Sequence, residues 1–308
     1  MTLRLLFAGT PEFAVPALES LLDSDQAPVA VLTQPDRAAG RGRRLAFGPV
    51  KRVAVEHGLP VLQPATLRSP EVLAELAALR PDLLVTAAYG LILPRDILDL
   101  PRLGCWNLHA SLLPRWRGAS PINQAILHGD RQTGISLMQM DAGLDTGPVL
   151  DRVATPIGPE ETAGQLHDRL APMAADLLLE NLRRLPSDGV PPAQPQDPSG
   201  ATHAPLIAKS DARLDWQRPA TELARMVRAY NPWPVAWGEL QGQPVRVFKA
   251  RAGARNGDHP GRLLRGADGR DAIRVACGEG SLEILELQAP GRKRLAAADW
   301  LNAHPDWR

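Results

Sequence analysis

Cysteine is scarce in this chain, because only Cys105 and Cys277 occur among its 308 residues. Two cysteines supply no disulfide framework, and no cluster of cysteine and histidine has the spacing of a zinc site. The sequence therefore excludes a small domain held together by disulfides, and we expect no bound metal.

Long apolar runs are also missing. The longest, around Leu83–Leu93, contains Gly90 and ends at Pro94, which makes it too short to span a bilayer. Met1-Thr2-Leu3-Arg4 leads directly into an apolar strand, without a charged leader followed by a long apolar region. We therefore expect a cytoplasmic protein with no membrane partner.

The glycine-rich loops that bind nucleotides are absent as well. The first junction between a strand and a helix reads Gly9-Thr10-Pro11-Glu12-Phe13-Ala14, which lacks the Gly-x-Gly-x-x-Gly spacing that lets backbone approach a pyrophosphate. No Walker-type loop occurs either. The sequence thus disfavours an NAD-dependent dehydrogenase.

The charge is close to balanced over the whole chain and unbalanced between its parts. The formal net charge is +1. Residues 1–208 carry 18 Lys and Arg against 22 Asp and Glu, whereas residues 209–308 carry 17 against 12. The basic excess favours contact between the second part and a polyanion. A chance excess on a solvated surface is the alternative.

Strands and helices alternate along residues 1–189. Buried-strand patterns at Leu3–Ala8, Val29–Thr33, Asp82–Ala88 and 104–109 are separated by helical patterns such as Val50–His57 and Pro70–Leu79. Such alternation predicts an α/β domain with a Rossmann-like, doubly wound, mostly parallel sheet.

A proline-rich segment follows at residues 190–208 and reads as an extended linker. Residues 209–308 then show short strand patterns separated by glycines, with one helical pattern at Thr221–Ala229. Short strands with glycine turns predict a second, small β-barrel domain.

The most informative stretch is Cys105–Gly118. A short strand ends by presenting Asn107 and His109, whose side chains share one face because residues two apart in a strand point the same way. The amide can hold a developing oxyanion, and the imidazole can move a proton near neutral pH. The pair therefore suits acyl transfer, although each residue alone could simply satisfy hydrogen bonds in the core.

This stretch closely resembles the active-site signature of the folate-dependent formyltransferases. Three further segments, Phe7–Ala14, Met140–Gly147 and Tyr230–Pro234, narrow the resemblance to the branch of the family that acts on methionyl-tRNA. The resemblance implies Asp145 as a third catalytic group, 10-formyltetrahydrofolate as co-substrate and an OB-like fold for the second domain. A turn aspartate that bonds its own backbone is the alternative for Asp145.

The resemblance also implies two segments that bind the folate. They are Ser111, Leu112, Leu113 and Pro114, and Tyr89, Gly90, Leu91, Ile92 and Leu93. Apolar side chains could clamp a flat ring while peptide groups bond its polar rim. For Leu91 and Leu93, ordinary core packing is the alternative.

A basic loop at residues 35–52 resembles the insertion with which this family holds the acceptor stem of initiator methionyl-tRNA. The residues expected to contact tRNA are Arg37, Arg41, Arg43, Arg44 and Lys51, with Lys209 and Arg246 in the second domain. Flexible cationic loops suit phosphate binding. No obligate protein partner is implied, and we expect a monomer.

Three alternative functions remain at this point. A formyltetrahydrofolate hydrolase or dehydrogenase domain would use the same three residues and deliver the formyl carbon to water. A sugar or ribonucleotide formyltransferase would not explain the basic loop and basic second domain. An RNA-binding protein without catalytic activity would not explain Asn107, His109 and Asp145 together.

Overall fold

The structure is a computed structural model that describes residues 3–39, 44–185, 192–254, 259–264, 271–304 and 307. It divides into two compact units. The first comprises Met1–Pro121, Thr133–Thr155 and His167–Ala204, and the second comprises Ile122–Gln132, Pro156–Leu166 and Pro205–Arg308.

Eleven strands are described in the first part of the chain. They are β1 (Leu5–Gly9), β2 (Ala30–Leu32), β3 (Arg37–Ala39), β4 (Arg44–Ala46), β5 (Val61–Leu62), β6 (Leu83–Ala87), β7 (Cys105–His109), β8 (Arg117–Gly118), β9 (Gln132–Gln139), β10 (Val149–Pro156) and β11 (His203–Ala204). Seven of them form one sheet in the order β10-β9-β7-β6-β1-β2-β5. Strands β5, β2, β1, β6 and β7 run parallel, and β9 is antiparallel to β7.

The helices that flank these strands are short, except the last. They are α1 (Val15–Leu22), α2 (Pro49–Glu56), α3 (Pro70–Ala78), α4 (Arg95–Leu98), α5 (Pro121–Leu127) and α6 (Ala163–Arg183). Proline at the first helical position favours the start of α2 and of α3, and the Ser69 hydroxyl caps α3 by accepting from the Val72 amide. The bounds of α2 and α3 agree closely with the helical patterns predicted at Val50–His57 and Pro70–Leu79.

The core of the first unit lies on the sheet. All five residues of β1 and all five of β6 are buried. Parallel strands covered on both faces are expected to be continuous apolar runs, as these are. Leu6 and Leu84 pair across the two strands and pack in one cluster with Leu32, Leu76 and Tyr89.

The described part of the second unit after residue 204 contains an antiparallel sheet and two α-helices. The elements are α7 (Ala220–Ala229), β12 (Trp237–Leu240), β13 (Gln243–Gly253), β14 (Ile273–Ala276), β15 (Ser281–Gln288), β16 (Leu295–Ala296) and α8 (Ala297–Ala303). The strand order is β12-β13-β15-β14, and β16 pairs with β15. Leu223, Val247, Ile284 and Trp300 pack in its core. The predicted fold class, a mostly parallel α/β domain followed by a small β domain, is confirmed.

Part of the predicted linker is not a free spacer. Gln194 pairs with Val149, and strand β11 pairs with β8. Residues 192–204 therefore belong to the first unit, because their backbone groups bond to it even though prolines interrupt the segment. The proposed domain limits of 1–189, 190–208 and 209–308 stay a prediction.

The basic loop also has more order than its glycines suggest. Strands β3 and β4 pair as an antiparallel ladder from Arg37↔Ala46 to Ala39↔Arg44. We call residues 37–46 the cationic arm. Residues 40–43, which separate the two strands in sequence, lie outside the described ranges.

Two negative findings apply to the described residues only. None of their helices is both long and apolar enough to cross a membrane. Their His, Cys, Asp and Glu side chains form no group of three or more that could hold a metal ion.

We expect Leu6→Ala to lower the free energy of unfolding of the first unit by about 2–5 kcal/mol, because it leaves a cavity beneath a fully buried strand. Denaturant titration would measure the change. Val55→Ala on α2, where the side chain is 48% exposed, is the control and should change that free energy by less than about 0.5 kcal/mol. An equal, small effect of both substitutions would contradict the described core.

Candidate active site

The candidate site lies where β7 ends. Asn107 pairs with Thr86 on β6 and Met138 on β9, and His109 pairs with Ser136. This is the carboxyl edge of the parallel strands, the edge at which α/β sheets bind their ligands. His109 is 5% exposed, so its imidazole lies largely out of bulk water.

The Asp145 carboxylate meets both side chains of β7. Its Oδ1 accepts a hydrogen bond from Nδ2 of Asn107 at 3.3 Å, and its Oδ2 lies 3.6 Å from Nδ1 of His109. The amide of Gly118 donates to Oδ2 at 2.9 Å. The three residues expected from the sequence are therefore together, and their catalytic roles stay a prediction.

The backbone holds Asp145 in an unusual conformation. Its φ is +53°, in the left-handed region that residues other than glycine rarely adopt. Gly147 follows, where a Cβ would lie 1.9 Å from the Gln139 carbonyl oxygen, so the loop lies against β9 with no room for a side chain. Such strain persists only where the surrounding contacts compensate for it.

One hydrogen bond of His109 fixes the role of its Nε2. Nε2 lies 2.8 Å from the carbonyl oxygen of Trp116, which can only accept, so Nε2 carries a proton. Nδ1 faces Asp145 and is the nitrogen that can exchange a proton with a substrate. A proton on Nδ1 would lie close to the Asp145 carboxylate, whose Oδ2 is 3.6 Å from that nitrogen.

Thr86 orients the amide of Asn107. Its hydroxyl donates to Oδ1 of Asn107 at 2.9 Å. Because Oδ1 accepts this bond, Nδ2 is directed toward Asp145, and its second hydrogen is available to a ligand. Thr86 is 3% exposed, so the orientation is set inside the protein.

Gln196 ties the Asp145 loop to a buried arginine. Its Nε2 donates to the carbonyl oxygens of Asp145 and Gly147, at 2.9 and 2.6 Å. Its Oε1 accepts from Nε and Nη2 of Arg117, at 3.0 and 2.8 Å. Arg117 is only 9% exposed, so one amide both accepts two hydrogen bonds from a buried guanidinium and holds the carboxylate loop.

Thr202 supports the segment that carries Trp116. Its hydroxyl accepts from the Trp116 amide at 2.9 Å, and its carbonyl accepts from the Arg117 amide at 2.9 Å. Trp116 in turn supplies the carbonyl that binds His109. Gln196 and Thr202, both in the predicted linker, thus support the segments that hold Asp145 and His109.

These positioning residues were missed in the sequence. Nothing in a proline-rich segment has helical or strand periodicity, and Gln196 lies 51 residues from Asp145. The usable signal was Arg117, a cation in an apolar stretch with no acidic residue beside it in the sequence. Such an arginine requires a distant acceptor.

Ser111, Leu112, Leu113 and Pro114 follow β7 directly. The Ser111 hydroxyl is buried and donates to the Arg115 carbonyl at 2.6 Å, as expected for a turn residue rather than a nucleophile. Leu113 is 1% exposed and packs with Met138 and Val149. Their contacts shape the loop, and direct folate contact by this segment stays a prediction.

The second folate segment follows β6. Tyr89 and Leu93 are buried in the core of the first unit, and Leu91 packs against that core. Burial raises the pKa of Tyr89 to about 12. Ile92, by contrast, is 80% exposed, so the segment offers one free apolar side chain and the peptide groups around Gly90. Leu91 and Leu93 therefore pack with the core, and contact of this segment with folate stays a prediction.

The cationic residues are placed unequally. Arg37, Lys209 and Arg246 are exposed, whereas the Lys51 ammonium lies 2.5 Å from the Asp36 carboxylate and its side chain is 13% exposed. Arg44 lies in β4, and Arg41 and Arg43 lie outside the described residues. Contact of any of them with tRNA stays a prediction.

A cavity elsewhere in the first unit is unrelated to these groups. It has a volume of about 410 Å³ and is lined by residues that include Leu3, Arg102 and Leu182. Leu3 and Arg102 precede β1 and β7, so the cavity lies at the opposite edge of the sheet.

The arrangement suits transfer of an acyl group between two nitrogens. An amide donor can stabilise an oxyanion, and an imidazole nitrogen beside a carboxylate can accept a proton and return it. Neither step needs a covalent intermediate.

Comparison with known proteins identifies the family. The family model for formyl transferase matches residues 2–182, and the model for its C-terminal domain matches residues 206–305. A methionyl-tRNA formyltransferase from Methylococcus capsulatus is 53% identical over 98% of this chain and 97% of its own. One from Xylella fastidiosa is 55% identical over 99% of this chain and 98% of its own.

Among solved structures, an N-formyltransferase from Helicobacter canadensis, in complex with folinic acid and dTDP-3-aminofucose, has a similar fold. Its TM-score is 0.66 at 16% identity, over 94% of this chain and all of that one. The two sequence relatives, which match at more than half of all positions over nearly the full length, define the group more narrowly. The chain therefore belongs to the formyl transferase family, among the methionyl-tRNA formyltransferases.

Proposed function

We propose that Asn107, His109 and Asp145 carry the transfer of the formyl group of 10-formyltetrahydrofolate to the α-amino group of methionyl-initiator tRNA. The observation that supports these roles is the convergence of an amide donor and an imidazole on one carboxylate. All three groups come from one chain, so a monomer is sufficient. The reaction takes place in the cytoplasm, where aminoacyl-tRNAs are used.

The reaction has an addition step and an elimination step. The neutral α-amine attacks the formyl carbon, a C–N bond forms, and the carbonyl oxygen becomes an oxyanion. Nδ2 of Asn107 donates to this oxyanion, and Nδ1 of His109 takes the proton lost by the amine. The C–N10 bond then breaks, and N10 leaves with a proton from His109, which gives formylmethionyl-tRNA and tetrahydrofolate.

Asp145 supports both steps by its contacts. Its carboxylate lies beside the imidazole nitrogen that gains the proton, and it fixes the direction of the Asn107 amide. A preorganised carboxylate stabilises the transient imidazolium without rearranging during the reaction.

The two segments expected to bind folate, 89–93 and 111–114, follow β6 and β7, which end at this carboxyl edge. We assign the pterin to the peptide groups at 89–91 and the exposed Ile92, and the formyl end to the loop at 111–114. Peptide groups are suited to a ring whose rim alternates donors and acceptors.

The acceptor stem of the tRNA is assigned to the cationic arm, through Arg37, Arg41, Arg43 and Arg44. Lys209 and Arg246 are exposed on the basic second unit and suit contact with the phosphate backbone. A splayed RNA end, such as a weak first pair of an initiator tRNA would give, can be held by such an arm.

Transfer of labelled formyl from 10-formyltetrahydrofolate tests the function directly. We expect label in methionyl-tRNA, with an initiator tRNA preferred over an elongator tRNA. Free methionine and a reaction without tRNA are the controls. Label recovered only as formate would indicate a hydrolase, and no release of label would contradict an enzymatic role.

We expect Asn107→Ala to lower kcat by on the order of a hundredfold or more, since loss of one oxyanion donor commonly costs about 3–4 kcal/mol. The Kd for folate should change far less, because the donor acts mainly on the transition state. Single-turnover transfer would measure the rate. Asn302→Ala, on the exposed side of α8, is the control and should keep the parental rate. A parental rate in Asn107→Ala would refute the oxyanion role.

Gln196→Ala should lower kcat about tenfold, because the Asp145 loop loses two hydrogen bonds, each worth roughly 1 kcal/mol. It should also lower stability, since the Arg117 guanidinium loses its acceptor. The double variant Arg117→Met with Gln196→Leu should regain part of the stability and none of the activity. Recovery of both together would show that Gln196 acts only on stability.

A further inference from the structure

Four residues, each located just after one of four neighbouring strands, are joined in a row by hydrogen bonds. Tyr89 follows β6, Thr10 follows β1, Gln34 follows β2 and Gln63 follows β5. These strands are adjacent in the order β6-β1-β2-β5, so the four residues lie side by side at the carboxyl edge of the sheet. The edge continues at β7 to the candidate active site.

Gln34 is at the centre of this row and uses every polar group it has. Its amide donates to the Thr10 hydroxyl at 3.3 Å, and its carbonyl accepts from Nε2 of Gln63 at 2.9 Å. Its Nε2 donates to the Tyr89 carbonyl at 3.2 Å, and its Oε1 accepts from Arg37 at 2.8 Å. A single side chain therefore joins the first residue of the cationic arm to the turn after β6.

The base of the arm is fastened to the same row. The Lys51 ammonium lies 2.5 Å from Asp36 Oδ2, 2.7 Å from Gln63 Oε1, and 4.0 Å from the centre of the Phe47 ring. Gln63 also donates to Oδ1 of Asp36, at 3.0 Å. Hydrogen bonds from Lys51 and then Gln63 lower the pKa of Asp36. Lys51 thus contacts both ends of the arm, at Asp36 just before β3 and at Phe47 just after β4.

The other end of the row is the turn assigned to the pterin. The Tyr89 carbonyl accepts from both Gln34 and the Thr10 hydroxyl, which lies 3.0 Å away. Gly90 follows with a φ of +83°, and a Cβ there would lie 2.5 Å from Nε2 of Gln34. The Gln34 amide therefore lies directly against the peptide whose direction sets this turn.

We propose that Gln34 is a positioning residue that couples the cationic arm to the folate turn, so that folate and tRNA bind cooperatively. The inference rests on the proposed function, because it takes the arm as the tRNA site and the turn as the folate site. Lys51 acts in it through Asp36 and Gln63 rather than by touching RNA.

The coupling is positive for a physical reason. Phosphates bound by Arg37 hold β3 in place. Arg37 in turn holds the Gln34 side chain, which fixes the Tyr89 carbonyl before folate arrives. A second ligand that meets an already ordered turn has less conformational entropy to lose. Coupling energies between sites are commonly about 1–3 kcal/mol, so we expect each ligand to tighten the other by roughly fivefold or more.

The test is a binding cycle that does not depend on turnover. The Kd of 5-formyltetrahydrofolate is measured for the full chain with and without saturating uncharged initiator tRNA. For the parent we expect a ratio of about five or more, and for Gln34→Ala a ratio below about two. Gln132→Ala, an exposed glutamine on β9, is the matched control and should keep the parental ratio.

Two further variants test separately the contact of Gln34 with Tyr89 and the contacts of Lys51 with Asp36 and Gln63. Gln34→Glu still accepts from Arg37 but cannot donate to Tyr89, so it should lose the coupling and weaken folate binding. Lys51→Met should weaken tRNA binding and leave the Kd of folate without tRNA unchanged. If Gln34→Ala does not fold, as judged by thermal unfolding, the Kd values of these two variants test the coupling instead.

The outcomes distinguish this inference from the proposed function. A parent that binds both ligands independently, or a Gln34→Glu variant with the parental ratio, would overturn the coupling and leave formyl transfer intact. A parent that binds no tRNA at all would overturn the tRNA assignment itself.

Discussion

The carboxylate of Asp145 is the point on which the site depends. It is reached by the Asn107 amide, by the His109 ring and by the Gly118 backbone. These groups come from β7 and β8, which belong to different sheets, so the carboxylate joins two parts of the chain that do not pair with each other. Asp145 is held in a left-handed backbone conformation, which costs free energy that its contacts with neighbouring residues offset. Of the residues that support it, His109, Thr86 and Arg117 are buried and Asn107 and Gln196 are half-buried.

The carboxyl edge of the parallel strands explains where the other functional groups lie. Parallel strands end on one side, so residues that follow them become neighbours whatever their distance in sequence. Thr86 orients Asn107 across two adjacent strands, and Gln34 reaches Tyr89 across three. The sheet beneath them offsets the entropy lost on ordering these side chains, since every residue of β1 and β6 is buried.

Strand periodicity was sufficient to predict that Asn107 and His109 share a face, and strand–helix alternation was sufficient for the fold class. Asp145 could be named only by resemblance, because its loop has no periodic pattern that indicates a direction. Gln196 and Thr202 could not be found at all: a proline-rich segment is typical of a linker, and its bonds depend on tertiary contacts. The basic loop was predicted by composition, yet composition cannot separate Arg37, which is exposed, from Lys51, which is paired.

The hydrogen bonds of residues 192–204 have a practical consequence for dividing the enzyme. A fragment ending at residue 189 would follow the apparent boundary in composition, yet it would lack both Gln196 and Thr202. The Arg117 guanidinium would then be left inside without its acceptor, and the carboxylate loop would lose its brace. A fragment extended through Ala204 would retain the strand that pairs with β8. The carboxyl-terminal limit of the first unit is therefore set by the pairing of residues 192–204 rather than by the end of α6.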